Sequence, residues 1–331
     1  MNNQLPDIYY DPLLGVSNLF SERCRFSKPS PYTIGNNEAS RSRLQIHSPN
    51  PLSAWDQSAF MAAVAAAMAS SVTIDAANTT RLGRALWDSL RVSNAALAPG
   101  SALASCSQRH IERLAGLRKS GGHTNVRLVE ALEKLACVEC HFVQAPVAWS
   151  AQLISWMQDD NGVHIALHPH ISRVVRGVAQ RSPSRSRYTV LSLKERYSLK
   201  DPVARLVHAW LSSWLRRYGT GLRTISLEKL ADHVWGDTLN ARSEKQRMNR
   251  LRAALSDVGE LPDWMLAFDG DDVLILRGKL ALPADSSTPV KVTADSSVGA
   301  AELSPAEVDL LLTNQPIADD HALFQDYQLG A

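Results

Sequence analysis

Hydrophobic residues recur at helical spacing along much of this chain, and short apolar runs that are typical of strands lie between them. The pattern is clearest in the second half, where Asp201 can cap a long helix with Pro202 at its first position, ending before Gly219. The elements predicted after it are a strand at 222–225, a helix at 226–235, a helix at 242–258, and a hairpin of strands at 264–268 and 273–276. A helix, a strand, two helices and a hairpin follow the element order of a winged helix.

A similar order is predicted in the first half. Helices at 108–119 and 124–136 are separated by a Ser-Gly-Gly break, and strands are predicted around 136–143 and 162–167. We expect these two strands to pair as a ribbon, which would complete another winged helix. Upstream, Ser53 can cap a helix from Ala54 to Ala69. The predicted fold class is α+β and mainly helical, with tandem winged-helix (helix-turn-helix) domains.

The composition predicts four parts. Residues 1–41 are rich in Pro, Ser and Asn and are predicted to be a flexible, irregular N-terminal arm. Residues 42–182 would form the first winged-helix domain, for DNA contact, dimerisation or both, and residues 183–280 the second, the main DNA reader. Residues 281–331 are acidic and rich in Pro, Ser and Thr, which predicts a partly disordered tail with one short helix after Ser304.

The charge of the chain is unevenly distributed. Its 35 Lys and Arg and 33 Asp and Glu residues sum to a formal net charge of only +2. Residues 1–171 carry a net +1, residues 172–253 carry +12, and residues 254–331 carry −11. A segment as basic as 172–253 is typical of a protein that binds a polyanion, so double-stranded DNA is the expected partner.

The helix at 242–258 has the composition of a DNA-reading helix. On a helical wheel the apolar side carries Met248, Leu251, Leu255 and Val258. The opposite side carries Arg242, Gln246, Asn249, Arg250 and Ala253, with Lys245, Arg247 and Arg252 toward its edges. In the major groove Arg bonds guanine, Asn or Gln bonds adenine, and flanking cations suit phosphates. An exposed basic helix that reads nothing is the alternative.

The helix at 124–136 is a second candidate for DNA contact. Its outward face carries His123, Arg127, Glu130 and Lys134, and the candidate DNA-binding residues are His123, Thr124, Asn125 and Arg127. Because Glu130 would repel phosphate, a packing or dimer surface is an equally good interpretation.

Two further basic positions can contact phosphate. Arg185 and Arg187 lie in a Ser-rich basic loop that is either a phosphate contact or a plain linker. In the second hairpin, the turn at 268–272 is acidic and should not rest on DNA, so we expect Arg277 to contact the backbone instead.

No segment predicts export or membrane insertion. The N-terminus MNNQLPDIYYDPLLG lacks the features of a secretory signal, and the longest apolar run, 60–69, is about half of the roughly 20 residues that span a bilayer. We therefore expect a cytoplasmic protein with reduced thiols. Cys137-Val-Glu-Cys140-His141 matches the haem-attachment pattern C-x-x-C-H, but it follows an amphipathic helix and is predicted to be a strand. We expect neither a metal nor a cofactor.

Two stretches resemble plasmid replication initiators. They are LSLKERYSLKDPVARLVHAWLSSWLRRYGTGLRTISLEKLADHVWG, continued by RMNRLRAALSDVGEL, and IERLAGLRKSGGHTNVRLVEALEKLACVECHFV. The resemblance is to the iteron-binding initiators of IncQ and IncP plasmids, and it covers residues 42–280 but neither the arm nor the tail.

This resemblance implies a protein that binds directly repeated iterons at a plasmid origin, helps to melt an adjacent A·T-rich region and recruits the host replisome. It implies an equilibrium between monomer and homodimer, and contacts with a host initiator, helicase or sliding clamp. The positions that match the family's DNA-reading residues lie at 242–253 and, less closely, at 123–127.

Two other functions stay open on the residues alone. A winged-helix transcriptional repressor would share the fold and the reading helix. A metal-dependent rolling-circle nickase would use His168 and His170 with Tyr188 or Tyr197 as nucleophile, although Pro169 interrupts a strand there and the segment ISRVVRGV after it looks helical. Since no G-x-x-x-x-G-K-[ST] motif occurs, an ATPase is not expected, and we predict a protein without catalytic residues.

Overall fold

The computed structural model describes residues 5–22, 32–37, 42–78, 80–94, 100–117, 122–144, 147–177, 188–215, 222–236 and 241–278. Within these ranges the chain forms a mixed α and β fold. The predicted tail at 281–331, with its helix after Ser304, lies outside the described residues.

The central helix of the first half, α2 (Ala54–Ala69), begins and ends where the sequence predicts. The Ser53 hydroxyl accepts from the N–H groups of Trp55 and Asp56, and the Asp56 carboxylate accepts from the Ser53 N–H at 2.7 Å. The helix has no polar face, because even Asp56 and Gln57 are buried. Its small alanine side chains therefore let helices and strands pack closely on several sides.

Among the described residues from Tyr32 onward, the first half also contains two four-stranded antiparallel sheets and four helices shorter than α2. The helices are α3 (Arg81–Ser89), α4 (Gln108–Leu114), α5 (Gly122–Ala136) and α6 (Pro169–Gly177). The first sheet has the order β2 (Tyr32–Asn37), β3 (Ser42–His47), β6 (Glu139–Gln144), β7 (Val147–Gln152). The second has the order β4 (Thr73–Ile74), β5 (Ser101–Cys106), β9 (Gly162–Leu167), β8 (Ile154–Asp159).

The ribbon predicted for the first half is wrong. Strands β6 and β9 exist where they were predicted, but they lie in different sheets, and each forms a hairpin with a strand that the sequence did not predict. The two missed strands, β7 and β8, are separated by Leu153 alone. No Gly, Pro, Asn or Asp occurs between residues 147 and 157, so no turn signal marks the break between them.

The second half begins with two elements that were not predicted, β10 (Thr189–Ser192) and α7 (Leu193–Ser198). From there on it has the predicted order of elements: α8 (Pro202–Trp214), β11 (Arg223–Ser226), α9 (Leu227–Trp235), α10 (Ala241–Gly259), β12 (Trp264–Asp269) and β13 (Asp272–Arg277). The last three strands form one antiparallel sheet of order β11-β13-β12. The predicted caps are confirmed, because Asp201 accepts from the Val203 N–H at 2.6 Å and Ser226 from the Lys229 N–H at 3.3 Å. Gly236 ends α9 at φ 74°.

The N-terminal segment belongs to the core, so the prediction of a flexible arm over residues 1–41 is wrong for residues 5–22. Strand β1 (Asp7–Tyr10) pairs antiparallel with β10, and Ile8 and Tyr10 are 0% and 1% exposed. Helix α1 (Pro12–Val16) packs on α8, with Leu14 buried. The sequence did not predict this packing, because the residues that contact the N-terminal segment lie far along the chain.

Arg196 ties the second half to α2. Its side chain is fully buried and donates to the Arg205 carbonyl oxygen, to the Ala54 carbonyl oxygen at 3.2 Å and to Ser58 Oγ at 3.3 Å. Burial lowers the pKa of the Arg196 guanidinium to about 10. A buried charge is costly unless polar groups accept its protons, so these contacts fix α7 and α8 against α2.

Candidate nucleic-acid interface

Helix α10 buries the side that its sequence predicts. Leu251, Leu255 and Val258 are 0% exposed, and Met248 packs partly buried against the same core. This side contacts α8, α9 and β12, so the helix is held from behind by its own domain. The predicted inward face is confirmed, and the opposite face is directed to solvent.

The exposed face of α10 is polar and sterically open. Lys245, Gln246, Asn249 and Ala253 are all exposed. Gln246, Asn249 and Ala253 are spaced by three and four residues, so they form one stripe along the helix, and Lys245 lies at its edge. The side chain of Arg242, at the start of this stripe, lies outside the described residues.

Arg250 is held by two carboxylates instead of extending freely to solvent. Its guanidinium donates to Asp201 through Nε at 3.1 Å and Nη2 at 3.0 Å, and it lies 3.4 Å from Glu22. The hydrogen bond to Asp201, with a smaller contribution from Glu22, raises the pKa of Arg250 above its usual value. The sequence did not single out Glu22, and it gave Asp201 only the role of a helix cap.

Arg252 and Arg247 are also engaged within the protein. Arg252 donates to Asp271 at 2.9 Å and to the Gly270 carbonyl oxygen at 3.3 Å, and it stacks 5.7 Å from the centre of the Phe268 ring. Arg247 stacks over Trp235 at 5.3 Å. Arg252 therefore attaches the turn between β12 and β13 to the side of α10.

That turn is acidic, as the sequence indicates. Asp269, Asp271 and Asp272 are exposed at its tip, and Phe268 beside them is 37% exposed. The carboxylates lie on the side of α10 that Arg252 marks, and they disfavour close approach of phosphate there. The expectation that Arg277 contacts phosphate is wrong, because Arg277 is 3% exposed and donates to the carbonyl oxygens of Ser212, Leu215 and Val190.

A buried polar network holds the hairpin against α8. The Glu195 carboxylate accepts from Trp264 Nε1 at 3.2 Å and pairs with His208 Nε2 at 3.1 Å. Burial lowers the pKa of His208. Burial alone would raise the pKa of Glu195, but the hydrogen bond from His208 brings it below its usual value. The sequence gave no signal for this network, since its members belong to three separate elements.

Helix α5 in the first half exposes a mixed surface. Asn125, Val126, Arg127 and Glu130 are exposed, and Val126 is 55% exposed. The Arg127 guanidinium stacks 5.0 Å over the ring of Trp55. The side chains of His123 and Thr124, and the whole of Arg185 and Arg187, lie outside the described residues.

The residues considered for nicking have local roles in the structure. Pro169 begins α6, and His168 before it is buried and accepts from the His170 N–H at 3.1 Å. His170 Nε2 lies 2.8 Å from the Asp11 carboxylate, so this side chain contacts the N-terminal segment. Tyr197 is largely buried against Arg205, and Tyr188 is 42% exposed beside Tyr9.

Cys140 lies in β6, which confirms the predicted strand, and burial raises the pKa of its thiol.

Within the described residues, no group of three or more His, Cys, Asp or Glu side chains is arranged to hold a metal ion. Across the same part of the chain, every helix is too short or too polar to cross a membrane.

Comparison with known proteins identifies the class. Residues 21–268 match the family model described as Replication protein C (RepC), so the chain is a replication protein. Because the match covers well over half of its length, the chain belongs to the RepC family. The sequence resemblance to replication initiators is thereby confirmed.

Two crystal structures match the chain at low similarity. One contains domains 2 and 3 of RctB as a SeMet derivative, with 9% identity, 78% of this chain and 93% of that chain covered, and a TM-score of 0.43. The other, of RctB domains 2–3, has 9% identity, covers 80% and 96% of the two chains, and gives a TM-score of 0.41. No curated protein matches the chain in sequence.

Proposed function

We propose that this RepC-family protein is a sequence-specific double-stranded DNA-binding protein that initiates plasmid replication by binding repeated sites at an origin. The observation that carries the proposal is the exposed polar face of α10, with Lys245, Gln246 and Asn249 on a helix that is packed from behind. Membership of a replication protein family supplies the process, and the exposed face supplies the chemistry of recognition.

In this proposal the unit from α8 to β13 acts as a winged helix. Helix α10 enters the major groove, and the β12–β13 hairpin is its wing. Gln246 and Asn249 face base edges, whereas Lys245, and Arg242 one turn before Gln246, neutralise phosphates. Arg247, Arg250 and Arg252 support the helix through their contacts with Trp235, Asp201 and Asp271.

The first half has a complementary role in the proposal. Its mixed helix α5, with exposed Val126 beside Asn125 and Arg127, suits either a second DNA contact or a homodimer surface that exchanges with a DNA-bound monomer. Basic residues outside the described part, Arg185 and Arg187, would add phosphate contacts. The protein acts in the cytoplasm and melts its origin through binding and bending energy, without a catalytic step or cofactor of its own. It then recruits a host initiator, helicase or sliding clamp.

A footprint on plasmid DNA that carries the gene and its flanking sequence tests DNA binding. We expect protection repeated at a regular spacing, with α10 variants such as Asn249→Ala losing it. An origin fragment that replicates only when the protein is supplied in trans would establish initiation. Protection of one promoter site together with replication that does not need the protein would instead establish a repressor.

A further inference from the structure

Three arginines on or beside the exposed face of α10 already make contacts within the protein. Arg250 is bonded to Asp201 through two nitrogens, Arg252 to Asp271 and the Gly270 carbonyl oxygen, and Arg247 stacks on Trp235. A guanidinium that reads guanine must aim its fork at O6 and N7 of the base. Each of these arginines would have to give up its present contacts to do so.

The acidic turn restricts the usable surface further. Arg252 holds Asp271 against the later part of α10, and Asp269 and Asp272 are exposed in the same turn. Phosphates are repelled from that end, so a DNA backbone is accommodated better along the earlier turns of the helix. Gln246 and Asn249 are the exposed base-reading side chains that the structure describes in those turns.

We propose that α10 reads adenine, through the amides of Gln246 and Asn249, and that its arginines position the helix instead of reading guanine. This inference rests on the proposed function and names the ligand of the same site, a major-groove step that contains A·T pairs. An Asn or Gln amide can accept from N6 and donate to N7 of adenine at once. The small side chain of Ala253, on the same stripe, leaves room for the helix to approach the bases.

The spacing of the two amides suits neighbouring base pairs. Residues three apart on an α-helix are separated by about 4.5 Å along its axis. Successive bases of a DNA strand are separated by about 3.4 Å. A helix inclined in the groove can therefore place Gln246 on one base pair and Asn249 on the next, which predicts two adenine preferences at adjacent or nearly adjacent positions.

The test uses the full-length protein and a pool of duplexes with a randomised core. Duplexes that the protein retains are sequenced, and the preferred duplex is then made with single adenines replaced by 7-deazaadenine, or single guanines by 7-deazaguanine. Both analogues keep base pairing but remove the N7 acceptor. We expect 7-deazaadenine at one or two positions to weaken binding by about tenfold, because the amide N–H loses its N7 acceptor and one of the two hydrogen bonds of the bidentate contact is lost.

The variants assign each position to a residue. Asn249→Ala should become insensitive to 7-deazaadenine at one position and Gln246→Ala at the other. Lys245→Ala is the matched control on the same helix, and it should weaken binding to all duplexes alike while keeping both adenine preferences. Arg250→Gln should lower thermal stability, because it leaves Asp201 and Glu22 without their partner, but it should keep the same base preferences.

Each other outcome overturns a defined claim. A preferred duplex that responds to 7-deazaguanine, with the response lost in Arg250→Gln, would show that Arg250 reads guanine and would overturn the inference while supporting the proposed function. Adenine preferences that persist in both Asn249→Ala and Gln246→Ala would overturn the inference in the same way. If the protein retains no duplex above a random sample, the proposed function fails, and the inference fails with it.

Discussion

Single residues on α10 show which contacts a helical wheel can predict and which it cannot. The wheel separates the buried residues of this helix from its exposed residues, because that division depends only on local spacing. It cannot say that Arg250 is bonded to carboxylates 49 and 228 residues away in the sequence. A helical wheel predicts the side of the helix on which a side chain lies. Whether a residue of opposite charge lies next to that side chain depends on the tertiary fold.

Buried histidines make the stability of the protein depend on pH. Burial lowers the pKa of both His168 and His233 to about 3. The unfolded chain takes up these protons near pH 6.5, whereas the folded protein takes them up only near pH 3. The stabilisation from each neutral histidine is therefore complete above pH 6.5 and is lost progressively as the pH falls below it.

We predict that His233→Phe makes the free energy of unfolding less dependent on pH. Phe keeps a ring against Trp210, whose ring centre lies 5.6 Å from that of His233, but it takes up no proton. Below pH 6.5 the free energy of unfolding of the wild type should fall by about 1.4 kcal/mol per pH unit for each such histidine. In the variant the contribution of His233 to this fall should be absent. Urea unfolding at pH 7 and pH 5 measures this. His47→Gln, at an exposed histidine, is the control, and an unaltered slope in His233→Phe would contradict the burial argument.

Helices and strands differ in how much of their structure was predictable. The starts of α2, α8 and α9 follow from Ser53, Asp201 and Ser226, because a cap acts within three residues of itself. Strand pairing depends on distant partners, so β6 and β9 were predicted as strands but were paired wrongly. Strand β1 was missed for the same reason, since its partner β10 begins at Thr189.

Strand β1 offers a test of whether the N-terminal segment contributes to folding. Ile8 is 0% exposed and lies opposite Leu191 in β10. We predict that Ile8→Ala lowers the free energy of unfolding by about 2–5 kcal/mol, and that Ile8→Val lowers it by about 0.5–1.5 kcal/mol. Chemical denaturation of the two variants measures the graded response. Equal and negligible effects would mean that the segment behaves in solution as the flexible arm that its composition indicates.

Across the whole molecule, many of the arginines make contacts within the protein and are not freely exposed to solvent. Arg196, Arg250, Arg252 and Arg277 all fall in or beside the basic middle of the chain, yet each is engaged with the protein itself. The net charge of +12 over residues 172–253 therefore overstates the cations that can reach DNA. If the acidic tail competes with DNA for these cations, it has fewer exposed cations available to it than the sequence suggests.

The acidic tail can compete with DNA for the exposed cations. Residues 281–331 carry eight Asp and Glu and a single Lys, and exposed cations such as Lys245 attract any polyanion. We predict that deleting 281–331 raises the affinity for an unrelated duplex several-fold at low salt, with the gain shrinking as salt screens both competitors. Fluorescence anisotropy over a salt series measures it. A full-length variant with the tail carboxylates replaced by amides is the control, because it keeps the length and removes the charge. If deletion raises affinity and the amide variant does not, the tail blocks DNA by its volume, and electrostatic competition is ruled out as its mode of action.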